Sequence, residues 1–449
     1  MDVVISFLIF FAALIASIIW KFSILIPLAI GLAAFIVAAV LRGNSVGAVI
    51  RMMGKGLKSS VGVVFILFLL GVITALWRSA GTIPYIVYHS VRFIQPQIFI
   101  VCVFLLCCLF SYLTGSTLGT AGTIGVVMMV LARTGGVDLY LTAGAVLSGG
   151  VFGDRNSPFS NSANLISNVT KTNIYVNIKN MFRDGLLPIL ITLGIYIVFS
   201  LQNPLRVEEA GVLSDMPELF RLHWIVLLPA VLVLVLSFLR IKVKYTLLIS
   251  VLTSFILSLT VQHQSFGQVL KYIWSGYTPA QASELGKIMS GGGLSSMVTV
   301  LGIVLLSSTY SGIFDATGML HGIEDVIIRF SRKLGAYVTT LVSSFFIACF
   351  SCNQTLSTMM TYQLCHKANE AQKVDKYDFA LCMENSVVLI AGLLPWSIAC
   401  AAPLAAINMD YGAIRYEFLP FLIILINLIK RVAKLPQKTI KTLERSNEE

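Results

Sequence analysis

The feature that most restricts this 449-residue chain is the recurrence of apolar runs close to the ~20 residues that an α-helix needs to cross a bilayer core. In lipid, backbone N–H and C=O groups must be satisfied inside the segment, so such runs can only be helices. The clear ones lie near residues 3–20, 22–41, 61–77, 97–113, 186–200, 222–238, 244–262, 296–312, 336–350 and 416–430. Shorter apolar pieces at 121–132, 139–152, 379–390 and 398–407 read as half-helices or re-entrant arms. Only 12% of the residues are charged, against about 25% in a soluble globular chain. The prediction is therefore an all-α polytopic membrane protein, in which no polar stretch is long enough to fold separately. The first run lacks a basic leader and is too long for the core of a secretory signal, so it reads as a retained membrane helix.

A net charge of +11 can signal a nucleic-acid partner, but here the cations sit in short loops beside apolar runs. That pattern gives membrane orientation and excludes a nucleic-acid surface. Arg42, Arg51, Lys55 and Lys58 form one such group; Lys171, Lys179 and Arg183 a second; Arg240, Lys242 and Lys244 a third. The fourth is the tail with Lys430, Arg431, Lys434, Lys438, Lys441 and Arg445. Placing all four in the cytoplasm puts both termini there and the acidic loop with Glu208, Glu209, Asp215 and Glu218 outside. The eight cysteines lie almost wholly inside apolar runs, where they pack as small side chains, and Cys349-x-x-Cys352 has no matching pair. The five histidines show no metal spacing.

The chain also repeats. Val137-Asp-Leu-Tyr140 precedes Ser157-Pro-Phe-Ser160, and Val374-Asp-Lys-Tyr377 precedes Leu394-Pro-Trp-Ser397; Val137 to Val374 and Pro158 to Pro395 are both steps of 237 residues. Each half opens with a helix pair and continues through an interrupted helix and a hairpin to a final span. The first half starts inside and the second outside, so the repeat is inverted, a pattern found in secondary transporters. The expected organisation is a first repeat over 1–200, an external loop over 201–221, a second repeat over 222–432 and a cytoplasmic tail over 433–449.

Four polar stretches interrupt the apolar pattern. In Thr114-Gly-Ser-Thr-Leu-Gly-Thr-Ala-Gly-Thr-Ile-Gly125, glycines allow the helix to unwind and offer carbonyls and the Ser116, Thr117 and Thr120 hydroxyls to a ligand. The alternative is a small-residue face for close helix packing. Asn353, Gln354 and Thr355 occupy the matching place in the second half. Asp154 and Arg155 stand in Gly153-Asp-Arg-Asn-Ser-Pro-Phe-Ser160, where the expected hairpin carries Asn156, Ser157, Ser160, Asn161 and Asn164. Glu384, Asn385, Ser386, Trp396 and Ser397 belong to the second expected hairpin. Burial favours the neutral form of a carboxyl, which suits a group that takes and loses a proton, so Asp154 and Glu384 are the candidate proton carriers. Alternatively, Arg155 clamps Asp154 structurally. Asp138 and Asp375 read as helix caps.

On Gly115–Gly125, on Gly153–Ser160 with Asn164, and on Met383-Glu-Asn-Ser386 with Leu394-Pro-Trp396, the sequence resembles the NhaC-type sodium/proton antiporter family over nearly its whole length. Gly291-Gly-Gly-Leu-Ser-Ser-Met297 is similar to a segment which that family carries before a span. The resemblance implies a secondary carrier in a prokaryotic inner membrane, with two inverted repeats, a homodimeric assembly and an elevator-like motion. It implies proton exchange for sodium or, in some relatives, for organic acids, with bound Na+ as the one candidate cofactor. The chain departs from the family at Asn161, which stands where the family's Ser-Pro-Leu-Ser-Asp-Thr-Thr-Asn places an acid. An amide can neither neutralise a cation nor carry a proton, and this points towards an organic solute or a zwitterion. Two rivals lie in other classes. An intramembrane aspartyl enzyme would use Asp154 and Asp378, though their motifs stand in the wrong order, and an uncoupled channel or sensor would not accumulate solute.

Overall fold

The computed structural model describes residues 2–20, 22–90, 95–205, 216–239, 241–279, 286, 289–317 and 324–432. Glu208, Glu209, Asp215, Arg240, His321 and the tail cations beyond Val432 lie outside the described residues. The first half contains α1 (Asp2–Trp20), α2 (Leu25–Leu41), α3 (Val46–Ser59), α4 (Val61–Ser79), α5 (Thr82–Ser90) and α6 (Phe99–Thr114). There follow α7 (Thr117–Thr120), a wide π turn (Ala121–Gly125), α8 (Val126–Thr134), α9 (Leu139–Asn156), α10 (Asn161–Val169) and α11 (Ile174–Gln202). The second half contains α12 (Leu228–Phe238), α13 (Val243–Thr260), α14 (Phe266–Ser275), α15 (Val298–Thr317) and α16 (Glu324–Ser351). It ends with α17 (Gln354–Ala371), α18 (Lys376–Glu384), α19 (Val387–Leu393), α20 (Ile398–Ala406) and α21 (Phe418–Val432).

Among the described residues, six helices are long and apolar enough to cross a membrane, or seven if the bent pair 376–393 and 398–406 counts as one span. The only β feature among the described residues is an isolated bridge between Tyr277 and Gly291. Large apolar side chains such as Leu186 and Leu190 on α11, Phe238 on α12 and Ile256 on α13 lie exposed on the outer faces. That surface is stable where lipid is the solvent. The chain is an all-α multi-pass membrane protein.

The interruptions and the hairpins both exist, but they exchange places relative to the sequence expectation. Helix α6 runs beside α9 in the same direction: Ser111 Oγ donates to the Gly149 carbonyl at 2.6 Å, and Ser157 Oγ donates to the Tyr112 carbonyl at 2.6 Å. The segment α7 to α8 runs back against α9, with Thr117 packed on Gly150 and Val146 packed on Gly125. The chain therefore reverses at Gly115, at φ +66°. The stretch 154–164, expected as a hairpin, is a break inside a single span. One end of that span is fixed where Tyr140 Oη donates to Asp410 Oδ2 at 2.9 Å, and the other where Lys376 Nζ reaches the Lys171 carbonyl at 3.2 Å. Arg155 reaches the Met181 carbonyl at 3.2 Å, so the break lies about two turns inside the start of α11.

The second half does the same in the opposite sense. Helices α16 and α17 form a hairpin that turns at Cys352, φ +53°. Helices α18, α19 and α20 form a span bent by 52°, starting beside Lys171 and ending beside Tyr140. The two broken spans thus run antiparallel, and each break seats on a hairpin turn. Ile398 N–H donates to the Cys352 carbonyl at 2.9 Å, while the Gly115 backbone lies against that of Phe159. Local signals recur at the 237-residue step. Left-handed residues pair as Gly115 with Cys352, Gly136 with Lys373 and Lys171 with Asn408. Capping side chains pair as Ser116 with Asn353, Asp138 with Asp375, Ser160 with Ser397 and Asn173 with Asp410. Such caps satisfy otherwise orphaned N–H groups, so they fix where each helix begins.

Gly115 cannot be replaced without cost. A Cβ there would lie 2.4 Å from the Phe159 carbonyl carbon, a backbone atom that cannot step aside. The left-handed conformation adds roughly 1–3 kcal/mol for a residue with a side chain. Gly115→Ala is expected to lower the thermal midpoint of the detergent-solubilised protein, whereas Gly54→Ala on α3, where a Cβ meets nothing within 4 Å, leaves it unchanged.

Candidate functional site

The crossing of the two broken spans encloses a cavity of about 390 Å³. Its wall takes Gly115–Leu118 from the first turn, Asn353–Leu356 from the second, Asp154, Asn161 and Ser162 from the first break, and Ile398 and Ala399 from the second. Val63 and Ile66 of α4 and Met359 of α17 supply apolar wall. Asp154 is the only ionisable side chain among these residues. The glycines around it explain its position, because Gly149 and Gly153 let α9 approach α6 until their backbones nearly touch. Four helices, α7, α10, α17 and α20, begin in the cavity wall. Their N-termini each favour negative charge by about 0.3–1 kcal/mol, so an anionic group is welcome opposite the carboxylate.

Asp154 Oδ2 accepts from Gln354 Nε2 at 3.0 Å, and Oδ1 accepts from Ser162 Oγ at 3.2 Å. Ser160 Oγ caps α10 and also donates to the Asp154 carbonyl, tying the two sides of the break. Gln354 further donates to the Val388 carbonyl at 3.2 Å, which links the carboxylate to α19. Ser116 Oγ accepts from Gly119 N–H at 3.1 Å, and Asn353 Oδ1 accepts from Thr355 N–H at 2.9 Å, so both hold helix starts at the cavity. Thr355 is exposed on the wall. Thr117 Oγ1 is buried there without any hydrogen-bond partner. A partnerless hydroxyl costs free energy unless a ligand or water completes it. Thr117→Val is therefore expected to keep the protein's thermal stability while weakening ligand binding by up to about tenfold, measured by calorimetry.

Other predicted residues lie outside the cavity wall and brace it. Thr120 Oγ1 donates to the Ser116 carbonyl at 2.8 Å, and Asn164 Nδ2 donates to the Pro158 and Ser160 carbonyls at 2.9 and 2.7 Å. Trp396 Nε1 donates to the Cys349 carbonyl at 2.8 Å, Ser397 caps α20, and Ser386 Oγ donates to the Cys382 carbonyl at 2.7 Å.

Arg155 does not pair with Asp154. Adjacent residues on a helix point about 100° apart, so Arg155 faces α11 and α18 while Asp154 faces the cavity. The guanidinium is fully buried and donates to Asn385 Oδ1 at 2.6 and 3.1 Å and to Asn156 Oδ1 at 2.8 Å. Its ionic partner is Asp184 at 3.9 Å. Asp184 also accepts from Asn385 Nδ2 at 2.8 Å and Asn427 Nδ2 at 2.7 Å, and pairs with Lys430 at 3.6 Å. Sequence reasoning passed over Asp184, whose one signal is an acid just inside a membrane helix. Asp184, Asp378, Lys430 and Arg431 line a second cavity of about 560 Å³. Asp378 and Asp154 therefore open into different spaces, not a shared acid pair. Glu384 is wholly buried with no hydrogen-bond partner on either carboxyl oxygen, close enough to feel the charges of Arg155 and Asp154.

Sequence comparison accords with this architecture. The family model described as Na+/H+ antiporter family matches residues 2–163 and 151–430. The chain is 26% identical over 377 residues to the Na+/H+ antiporter NhaC of Alkalihalophilus pseudofirmus, covering 82% of this chain and 80% of that one. It is 26% identical to the malate-2H+/Na+-lactate antiporter of Bacillus subtilis, covering 85% and 84%. It is 27% identical to the arginine/ornithine antiporter ArcD of Halobacterium salinarum, covering 75% and 71%. The chain belongs to the Na+/H+ antiporter family.

Proposed function

We propose that this protein is a secondary antiporter that exchanges protons for Na+ or a small solute, with the cavity at the crossing as the transported ligand's site. The observation that carries the reading is a single ionisable side chain, Asp154, among the residues that line the cavity where two antiparallel broken spans meet. Ligand and proton compete there, because a carboxyl that is protonated no longer offers the charge that a bound ligand needs. Ser116, Thr117, Asn161, Asn353, Gln354 and Thr355 complete the ligand's surroundings, and Glu384 serves as a further proton carrier. The paired caps and turns at the 237-residue step support two inverted repeats, and alternating access would follow from movement of the crossing against its surroundings. The basic loops favour cytoplasmic termini in a prokaryotic inner membrane, and a homodimer is the assembly expected from the family resemblance.

A zwitterionic solute, with a cationic group for Asp154 and its own carboxylate, is favoured over a bare cation. The cavity falls in the ~300–1,000 Å³ range of small-molecule sites; four helix N-termini suit an anionic group, and Asn161 adds no charge. Relatives named for malate and lactate, and for arginine and ornithine, support this breadth. Purified protein in liposomes enclosing a pH indicator tests both readings when pulsed with Na+, K+, amino acids and hydroxy acids. Proton movement on an organic solute but not on Na+ supports the solute reading, and movement on Na+ alone supports cation exchange. No proton movement with any pulse, in vesicles that bind these ligands, would overturn the antiporter reading.

A further inference from the structure

A second buried carboxyl stands apart from the cavity and from Glu384. Glu417 lies between the 3₁₀ segment Tyr411–Tyr416 and α21, is 1% exposed, and has no hydrogen-bond partner on Oε2. The titratable groups that face it are Tyr196 of α11 and Cys400 of α20. Around it, α9 contributes Ser148, whose hydroxyl accepts from Tyr196 Oη at 2.9 Å and from Leu419 N–H at 3.4 Å. No cation contacts it among the described residues. Arg415, two residues back, is exposed and lies over the Tyr140 and Tyr416 rings.

An ionised carboxylate buried without a partner is so costly that the group takes up a proton instead. A purely structural acid would be expected to hold an arginine, a lysine or a helix N–H, as Asp184 and Asp138 do. Glu417 holds none of these. The 3₁₀ segment that precedes it begins at Tyr411, on the rim of a further cavity of about 400 Å³ that Leu404, Asn408 and Asp410 also line, while Glu417 itself lies outside that lining. Glu417 and Glu384 belong to different parts of the surroundings of α9: Ser148 meets α21 at Leu419, whereas Arg155, about two turns further along, feels the charge of Glu384. They are therefore separate sites.

We propose that Glu417 is a proton-binding site beyond Asp154 and Glu384, so that each exchange cycle moves a proton on this carboxyl in addition to those carried there. The proton is taken from water on one side, forms the O–H bond in the closed seam between α9, α20 and α21, and returns to water on the other side when the seam opens. The inference rests on the antiporter reading for its transport consequence, but the protonated state of Glu417 stands without it.

Two measurements test it. In liposomes, the voltage and pH gradients that just halt exchange give the proton stoichiometry. Glu417→Gln, an isostere of the neutral acid, is expected to exchange with one proton fewer per cycle than the native protein. Active exchange with unchanged stoichiometry and an unchanged pH profile would overturn the proposal. Infrared spectroscopy of the native protein and of Glu417→Asp keeps the idea testable if the glutamine variant does not fold. The expected result is a protonated-carboxyl band at neutral pH that the aspartate variant shifts and ligand addition perturbs. A spectrum without such a band, or with one indifferent to both, would overturn it. If the native protein exchanges nothing, the antiporter reading fails while a Glu417-dependent band still establishes proton binding.

Discussion

Replacing Asp154 by Asn is expected to abolish the competition between proton and ligand at the cavity while the protein still folds. The amide keeps the size; its oxygen can accept from Gln354 while its NH2 donates to the Ser162 hydroxyl, which then acts as acceptor, so the break retains its geometry. What is lost is the negative charge and the exchangeable proton. A hydrogen bond to a charged group contributes about 1.5–3 kcal/mol, so ligand affinity falls by roughly 10- to 100-fold. The pH dependence separates this from a merely weakened site. In the native protein, once the solution is acidic enough to protonate Asp154, each further unit of fall in pH raises the apparent Kd about tenfold, because the proton and the ligand share one carboxylate. At higher pH the Kd is flat. In Asp154→Asn the Kd is weak and flat throughout, and a retained slope would assign the competition to another group.

Arg155→Leu is expected to be the most damaging single change for stability. Removing one member of a buried charged cluster costs about 3–5 kcal/mol, because the remaining polar groups stay buried without their partner. Here Asn385, Asn156 and Asp184 all lose a donor, and Glu384 loses the nearby positive charge. Asp184→Asn should be milder, since Asn385 and Asn427 can still donate to the amide oxygen. Thermal unfolding in detergent checks the order. A smaller loss for Arg155→Leu than for Asp184→Asn would show that the cluster is not organised around the guanidinium.

Much of this was legible before any coordinates, for identifiable reasons. Apolar length fixed the helices, and the 237-residue step predicted matching breaks, because caps such as Ser160 and Ser397 act locally and need no tertiary context. Which interruption reverses the chain was not legible. Both kinds contain glycine, serine and asparagine, and only the packing of Ser111 on Gly149 shows that the reversal comes at Gly115. The cavity residues Thr117, Gln354 and Asp154 were recognisable as polar groups in apolar surroundings. The partner of Arg155 was not, because Asp184 sits on another helix and helical rotation turns Arg155 away from its own neighbour. Glu417 was equally hidden, since its sequence context of Arg415, Tyr416 and Phe418 gives no sign of full burial.

The most direct test of the central claim, that ligand and proton compete for Asp154, is the count of protons released into weak buffer when ligand is added to purified protein. The native protein is predicted to release protons, and Asp154→Asn to release a proton fewer for each ligand bound at saturating ligand. Equal release from both proteins would contradict the claim and move the competition away from the crossing of the two broken spans.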